Sequence, residues 1–101
     1  METNDRETLE ERMAKRGERP VLLLRRIEGE GVFRYGVGVT AHPPTQYSVY
    51  AEYSAGEMHT LSHIPSFSSD RDTAESFCSL LERFSATPLS LDAIYEDSLT
   101  P

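Results

Sequence analysis

The segment Val32-Phe33-Arg34-Tyr35-Gly36-Val37-Gly38-Val39-Thr40 decides the fold class. Phe33, Tyr35, Val37 and Val39 fall on one side of an extended chain. Arg34, Gly36, Gly38 and Thr40 fall on the other, and this period of two marks a half-buried strand. Upstream, Val21–Glu28 is a second apolar run. Gly29-Glu30-Gly31 joins the two, short and glycine-bearing as a hairpin link should be. Downstream, Ala41-His42-Pro43-Pro44-Thr45-Gln46 is a loop, because two prolines cannot donate to a ladder. Tyr47–Tyr53 and Met58–Ile64 follow as strands around Ser54-Ala55-Gly56-Glu57, with Tyr47, Val49, Ala51 and Tyr53 opposing Ser48, Tyr50 and Glu52. Connections this short predict antiparallel neighbours.

From Ser69 the period changes to 3.6. Ala74, Phe77, Cys78, Leu81 and Phe84 form one helical stripe, with Ser69 as the expected cap and Asp70 and Asp72 in the first turn. Thr87-Pro88 opens another helix in the preferred cap-then-proline order, carrying Leu91, Ile94, Tyr95 and Leu99. Strands first and helices last predict an α+β fold. The expected form is an antiparallel sheet of three to four strands with both C-terminal helices on one face. Phe77, Leu81, Phe84, Val37 and Val49 should share its core.

Residues 3–16 read as a short charged helix capped by Thr3, Asn4 or Asp5, with acids early and bases late. Leu9 and Met13 are its apolar pair. So thin a stripe is as compatible with a mobile arm as with a docked helix. The expected division is a charged helix or arm at 1–19 and a single α+β domain at 20–101.

A chain of 101 residues can bury one core, and 38% apolar against 27% charged residues excludes a disordered class. The opening Met-Glu-Thr-Asn-Asp-Arg holds no apolar stretch. The aliphatic run Val21–Leu24 is far short of the ~20 residues of a membrane span. Cys78 stands alone, so no intramolecular disulfide or multi-cysteine zinc site is expected, and a reducing cytoplasmic setting is. The net charge of −7 is uneven: residues 1–34 hold eight bases and eight acids, whereas 35–101 hold two and nine. The acidic half disfavours nucleic acid.

Candidate chemistry is sparse. On a helix, His59 and His63 would share a metal; four residues along a strand they stand roughly 13 Å apart. His42 sits beside two prolines in a loop. Cys78 lies in an apolar stripe, where a cysteine acts as a small hydrophobe rather than a nucleophile. Ser66, Ser68 and Ser69 precede a helix already supplied with acids. Gly36 and Gly38 alternate within a strand, which suits close packing better than a phosphate loop. Glu52, Glu57, Glu96 and Asp97 make no acid–base pair. No catalytic, cofactor or metal residue is assigned.

The strand Tyr35-Gly36-Val37-Gly38-Val39, the approach Ile64 and Ser68-Ser69-Asp70 into a helix reaching Leu81, and the closing Pro88-Leu89-Ser90-Leu91 and Glu96-Asp97-Ser98-Leu99 carry a likeness. Over roughly residues 21–100 they resemble a family of short clostridial (Firmicutes) proteins, domain of unknown function 6514. The chain has Ser90 where that family often has a histidine, and Ser98 where it often has an aromatic residue. The resemblance implies a fold and brings no activity.

The functional expectation is a small non-catalytic protein-binding or regulatory module, partnered by another protein or by a second copy. Its candidate interaction residues are Leu22, Leu24 and Tyr50, read as an apolar patch around Gly36 and Gly38 on the face opposite the C-terminal helices. Association is expected to cover that patch in preference to the N-terminal helix. Two rivals stand beside this reading. One is a ligand-binding domain or enzyme using His59, His63 and Tyr50 on the open sheet face. The other is a nucleic-acid adaptor working through the basic stretch 12–26.

Overall fold

The computed structural model describes residues 7–99, and their side chains except those of Asp92 and residues 97–99. The candidate caps Thr3, Asn4 and Asp5 and the Leu99 side chain lie outside the described residues. The elements are α1 (Leu9–Lys15), β1 (Glu18–Glu28), β2 (Gly31–Thr40), β3 (Tyr47–Ala55), β4 (Met58–Ser68), α2 (Arg71–Arg83) and α3 (Pro88–Leu99). The strands form one antiparallel sheet in the order β1-β2-β3-β4. This is the antiparallel α+β arrangement that the hairpin links and the change of period predict, and the structure sets its strand order as a meander. Gly29 and Gly56 hold positive φ at the two tight turns, a conformation that glycine adopts without the penalty of a side chain.

Helices α2 and α3 share one face of the sheet. Phe33, Tyr35, Val37, Val49, Ala51 and Ile64 meet Ala74, Cys78, Leu81 and Leu91 there. Phe67 stacks on Phe77 with ring centroids 4.7 Å apart, and Tyr35 donates from its hydroxyl to the Ala86 carbonyl at 2.7 Å. One expected core member is missing. Phe84 is 69% exposed because α2 ends at Arg83, so Phe84 is its C-cap and no longer follows the helical phase.

The cap of α2 also differs from expectation. Asp70, not Ser69, accepts from the Thr73 amide at 2.9 Å and from its hydroxyl at 2.6 Å, and these bonds hold its carboxyl below the usual range. At α3 the Thr87 hydroxyl accepts from the Ser90 amide at 3.2 Å, as the cap-then-proline order predicts.

Strand β1 begins at Glu18 and carries a bulge between Pro20 and Leu22 that leaves Val21 without a partner on β2. A bulge places two consecutive side chains on one face and reverses the alternation beyond it. Leu22 therefore pairs with Val37 and Leu24 with Tyr35, on the face of α2 and α3. Leu23 pairs with Gly36 on the other face. The expected trio is split: Leu22 and Leu24 lie on the helix-covered side, and Tyr50 on the opposite one.

That opposite face is covered by α1. Leu9 and Met13 are fully buried there against Tyr50, with Leu61 alongside. Gly36 and Gly38 make the fit: a Cβ at Gly36 would lie 2.9 Å from Leu9 Cδ1, and one at Gly38 3.2 Å from Met13 Cγ. The chain's own N-terminal helix, not a second molecule, shields Tyr50.

Candidate functional site

Two regions bear on function: the polar layer beneath α1, and the outer side of β1.

The polar layer follows from β3. Its even-numbered residues Ser48, Tyr50 and Glu52 face α1, and β4 contributes His59 and His63. At one end Glu18 is buried with its carboxylate fully subscribed. Ser48 donates to it at 2.8 Å, Arg16 reaches it at 3.2 Å, and the Tyr50 hydroxyl donates to its other oxygen. Burial and the Glu18 carboxylate push the Tyr50 phenol well above its ordinary value, so the hydroxyl keeps its proton. Arg16 also donates to the Tyr50 oxygen at 3.1 Å. In β4, three residues (Pro65, Ser66 and Phe67) stand where β3 has Ser48 alone. Ser66 takes a left-handed backbone there, and its amide donates to Ser48 Oγ at 3.1 Å.

The histidines separate. His63 stacks on Tyr50 with centroids 5.1 Å apart, and its Nδ1 lies 3.3 Å from Arg12 Nη1. A guanidinium only donates, which leaves that nitrogen unprotonated. Burial, then Arg16 and Arg12, lower the His63 pKa from its ordinary value. His59 instead sits 2.9 Å from the buried carboxylate of Glu52, which Arg34 holds from its other side at 2.9 Å. Arg34 continues to Glu10 of α1. His42 is exposed in the loop between β2 and β3. Among the described residues no three of His, Cys, Asp and Glu gather as metal ligands. Cys78 is buried in the helix-side core, and burial pushes its thiol up to about 12. Chemically, the layer locks α1 in place. Each carboxylate has its donors, and polar partners of this kind fix register more than they add stability.

The basic stretch is largely consumed in the same way. Arg12 and Lys15 pair with Glu7, Arg16 with Glu18, and Arg26 with Glu28 and Glu82. Most of these pairs join near neighbours in the chain, such as Arg16 with Glu18 and Arg26 with Glu28; Arg26 with Glu82 alone among them needs the packing of α2 on β1.

The outer side of β1 differs. It is an edge strand of 11 residues with no strand beyond it among the described residues. Its start is closed by Pro20, by the bulge, and by Arg71 donating to the Val21 carbonyl at 3.4 Å. From Leu22 to Glu28 it is open. Helix α2 runs beside it in the same direction: Arg71 lies at Val21, while the Glu82 carbonyl accepts from Arg26 at 3.3 Å. Between them is an open groove of about 580 Å³, lined by Leu22 of β1 and by Asp72, Glu75, Ser76, Ser79, Leu80 and Arg83 of α2. Leu23 and Ile27 are 46% and 60% exposed on the other side of the same strand. Of the residues singled out from sequence, Leu22 alone lines this groove. The residues of β1 carried no signal for the edge, and the bulge hid which of them face where.

No helix among the described residues is long and apolar enough to cross a membrane. Comparison with protein-family models, curated proteins and solved structures gave no match.

Proposed function

We propose that this chain is a small, non-catalytic protein-binding module that docks an extended protein segment against the outer edge of β1. One observation carries the reading: from Leu22 to Glu28 the strand is unpaired on its outer side, has exposed apolar groups on one face, and borders an open groove on the other. An edge strand presents alternate N–H and C=O groups outward, and these pair with any backbone that lies alongside. Main-chain bonds then supply affinity, while the groove reads side chains on one face of the added strand. The histidine reading draws less support, since His59 and His63 are engaged in separate contacts. The nucleic-acid reading loses four of its six bases to internal carboxylates.

The test is selection from a displayed library of random peptides, on the wild-type chain and on a Leu23→Lys/Ile27→Lys variant. Both positions are exposed, so the fold should tolerate the change, while lysines on an edge oppose strand addition. Selected peptides should slow amide exchange at 22–28 and lose affinity for the variant. A monomeric chain that yields no binder, or a selection that yields only binders indifferent to the variant, would overturn the proposal.

A further inference from the structure

We infer that the segment docking on β1 is the β1 of a second copy, giving a two-fold dimer with one continuous eight-stranded sheet. This rests on the β1 edge being the docking surface. A two-fold axis normal to the sheet sets β1 antiparallel to its copy, which is the orientation that ladder pairing favours. Because Pro20, the bulge and Arg71 close the strand before Leu22, pairing is confined to 22–28. That confinement fixes the register. Leu23 of each copy faces Ile27 of the other, so the two exposed aliphatics cover one another. The two Arg25 side chains meet at the axis, where each is exposed and can extend into solvent.

The groove decides in favour of a copy over a foreign strand. Helix α2 runs with β1, so the same axis also brings α2 to face its copy in reverse across the joint. The groove-lining stripe of α2 reads acid at its start and base at its end; reversed, its two charged ends and its two serines match, while Glu75 stands opposite Leu80. Asp72 then faces the copy's Arg83, Ser76 faces Ser79, and the converse pairs form on the other side of the axis. Leu80 of each copy lies toward the joint beside Leu22. The surroundings are also neutral. Arg25, Arg26, Arg71 and Arg83 stand against Glu28, Asp72, Glu75 and Glu82, so the chain's net charge of −7 is not concentrated where the copies meet.

The experiment is sedimentation of the full chain from low micromolar to near-millimolar concentration, with three variants: Asp72→Arg, Arg83→Asp, and both together. Symmetry makes each single reversal place two like-charge contacts in the joint, and the double reversal restores both. The wild type should sediment as a dimer. Each single reversal should weaken it about tenfold or more, and the double should recover most of the loss, as charge pairs across an interface do. All positions changed are exposed, and a thermal melt of each variant verifies the fold. A wild type monomeric throughout, or a dimer indifferent to the reversals, overturns self-pairing. A monomer whose β1 edge still selects peptides overturns only the identity of the partner; one that selects none removes the docking surface as well.

Discussion

Replacing Leu81 by alanine and, separately, Phe84 by alanine tests where the core ends. Both belong to one sequence stripe, yet Leu81 is 2% exposed and Phe84 69%. Burying a leucine side chain is worth roughly 1.5–3 kcal/mol, and the cavity left by its removal raises the loss to about 2–5 kcal/mol. Leu81 lies in the cluster with Tyr35 and Val37, whose strand is paired on both sides, so the floor of the cavity cannot collapse. We therefore expect the upper half, ~3–5 kcal/mol. In a domain of this size that lowers the melting temperature by roughly 12 °C or more, at about 4 °C per kcal/mol. Phe84→Ala removes a larger side chain but should change stability by less than ~0.5 kcal/mol, as exposed substitutions do. Urea unfolding followed by far-ultraviolet circular dichroism, with the thermal melt as a second readout, measures both. Equal losses would mean that the stripe continues through Phe84. An unchanged Leu81→Ala would mean that α2 does not rest on the sheet.

Leu9→Ala should uncover the α1 face: a hydrophobic dye that ignores the wild type should bind, and amides 9–17 should exchange faster while those of α2 keep their protection. His63 supplies a pH signature. Its folded pKa lies below its unfolded value, so between the two the unfolded chain binds the extra proton, and stability is lost as pH falls from about 6.5 toward the folded value. His63→Phe keeps a ring against Tyr50 and should flatten that slope in urea titrations between pH 5 and pH 7; an unchanged slope would remove His63 as its source. Cys78, with its thiol pushed up to about 12 by burial, should react with a thiol reagent only as fast as the domain unfolds. Prompt labelling of the native chain would contradict its place in the core.

The sequence by itself determined what local physics controls. Period two in Val32–Thr40 and Tyr47–Tyr53 marked the strands and the side that meets α2 and α3, but not that α1 buries the other side as well. Gly29-Glu30-Gly31 and Ser54-Ala55-Gly56-Glu57 marked the hairpins, and Thr87-Pro88 the start of α3. These are choices of a few neighbouring residues, and tertiary contacts only had to agree with them. Pairing decided the rest. One unpaired residue at Val21 turns Leu22 and Leu24 from the expected open face to the helix face, because a slip of one along a strand moves every following side chain to the other side. The charges of residues 12–26 look solvated in sequence, yet four of the six bases hold a carboxylate of Glu7, Glu18, Glu28 or Glu82. Leu9 and Met13 make too thin a stripe to hold a helix by themselves; they hold one here because Gly36 and Gly38, glycines chosen some twenty-five residues later, leave the sheet low enough to receive them. Whether a strand is an edge is a property of the sheet's order, not of its own residues, and so the outer side of β1 became visible only once the four strands were assembled.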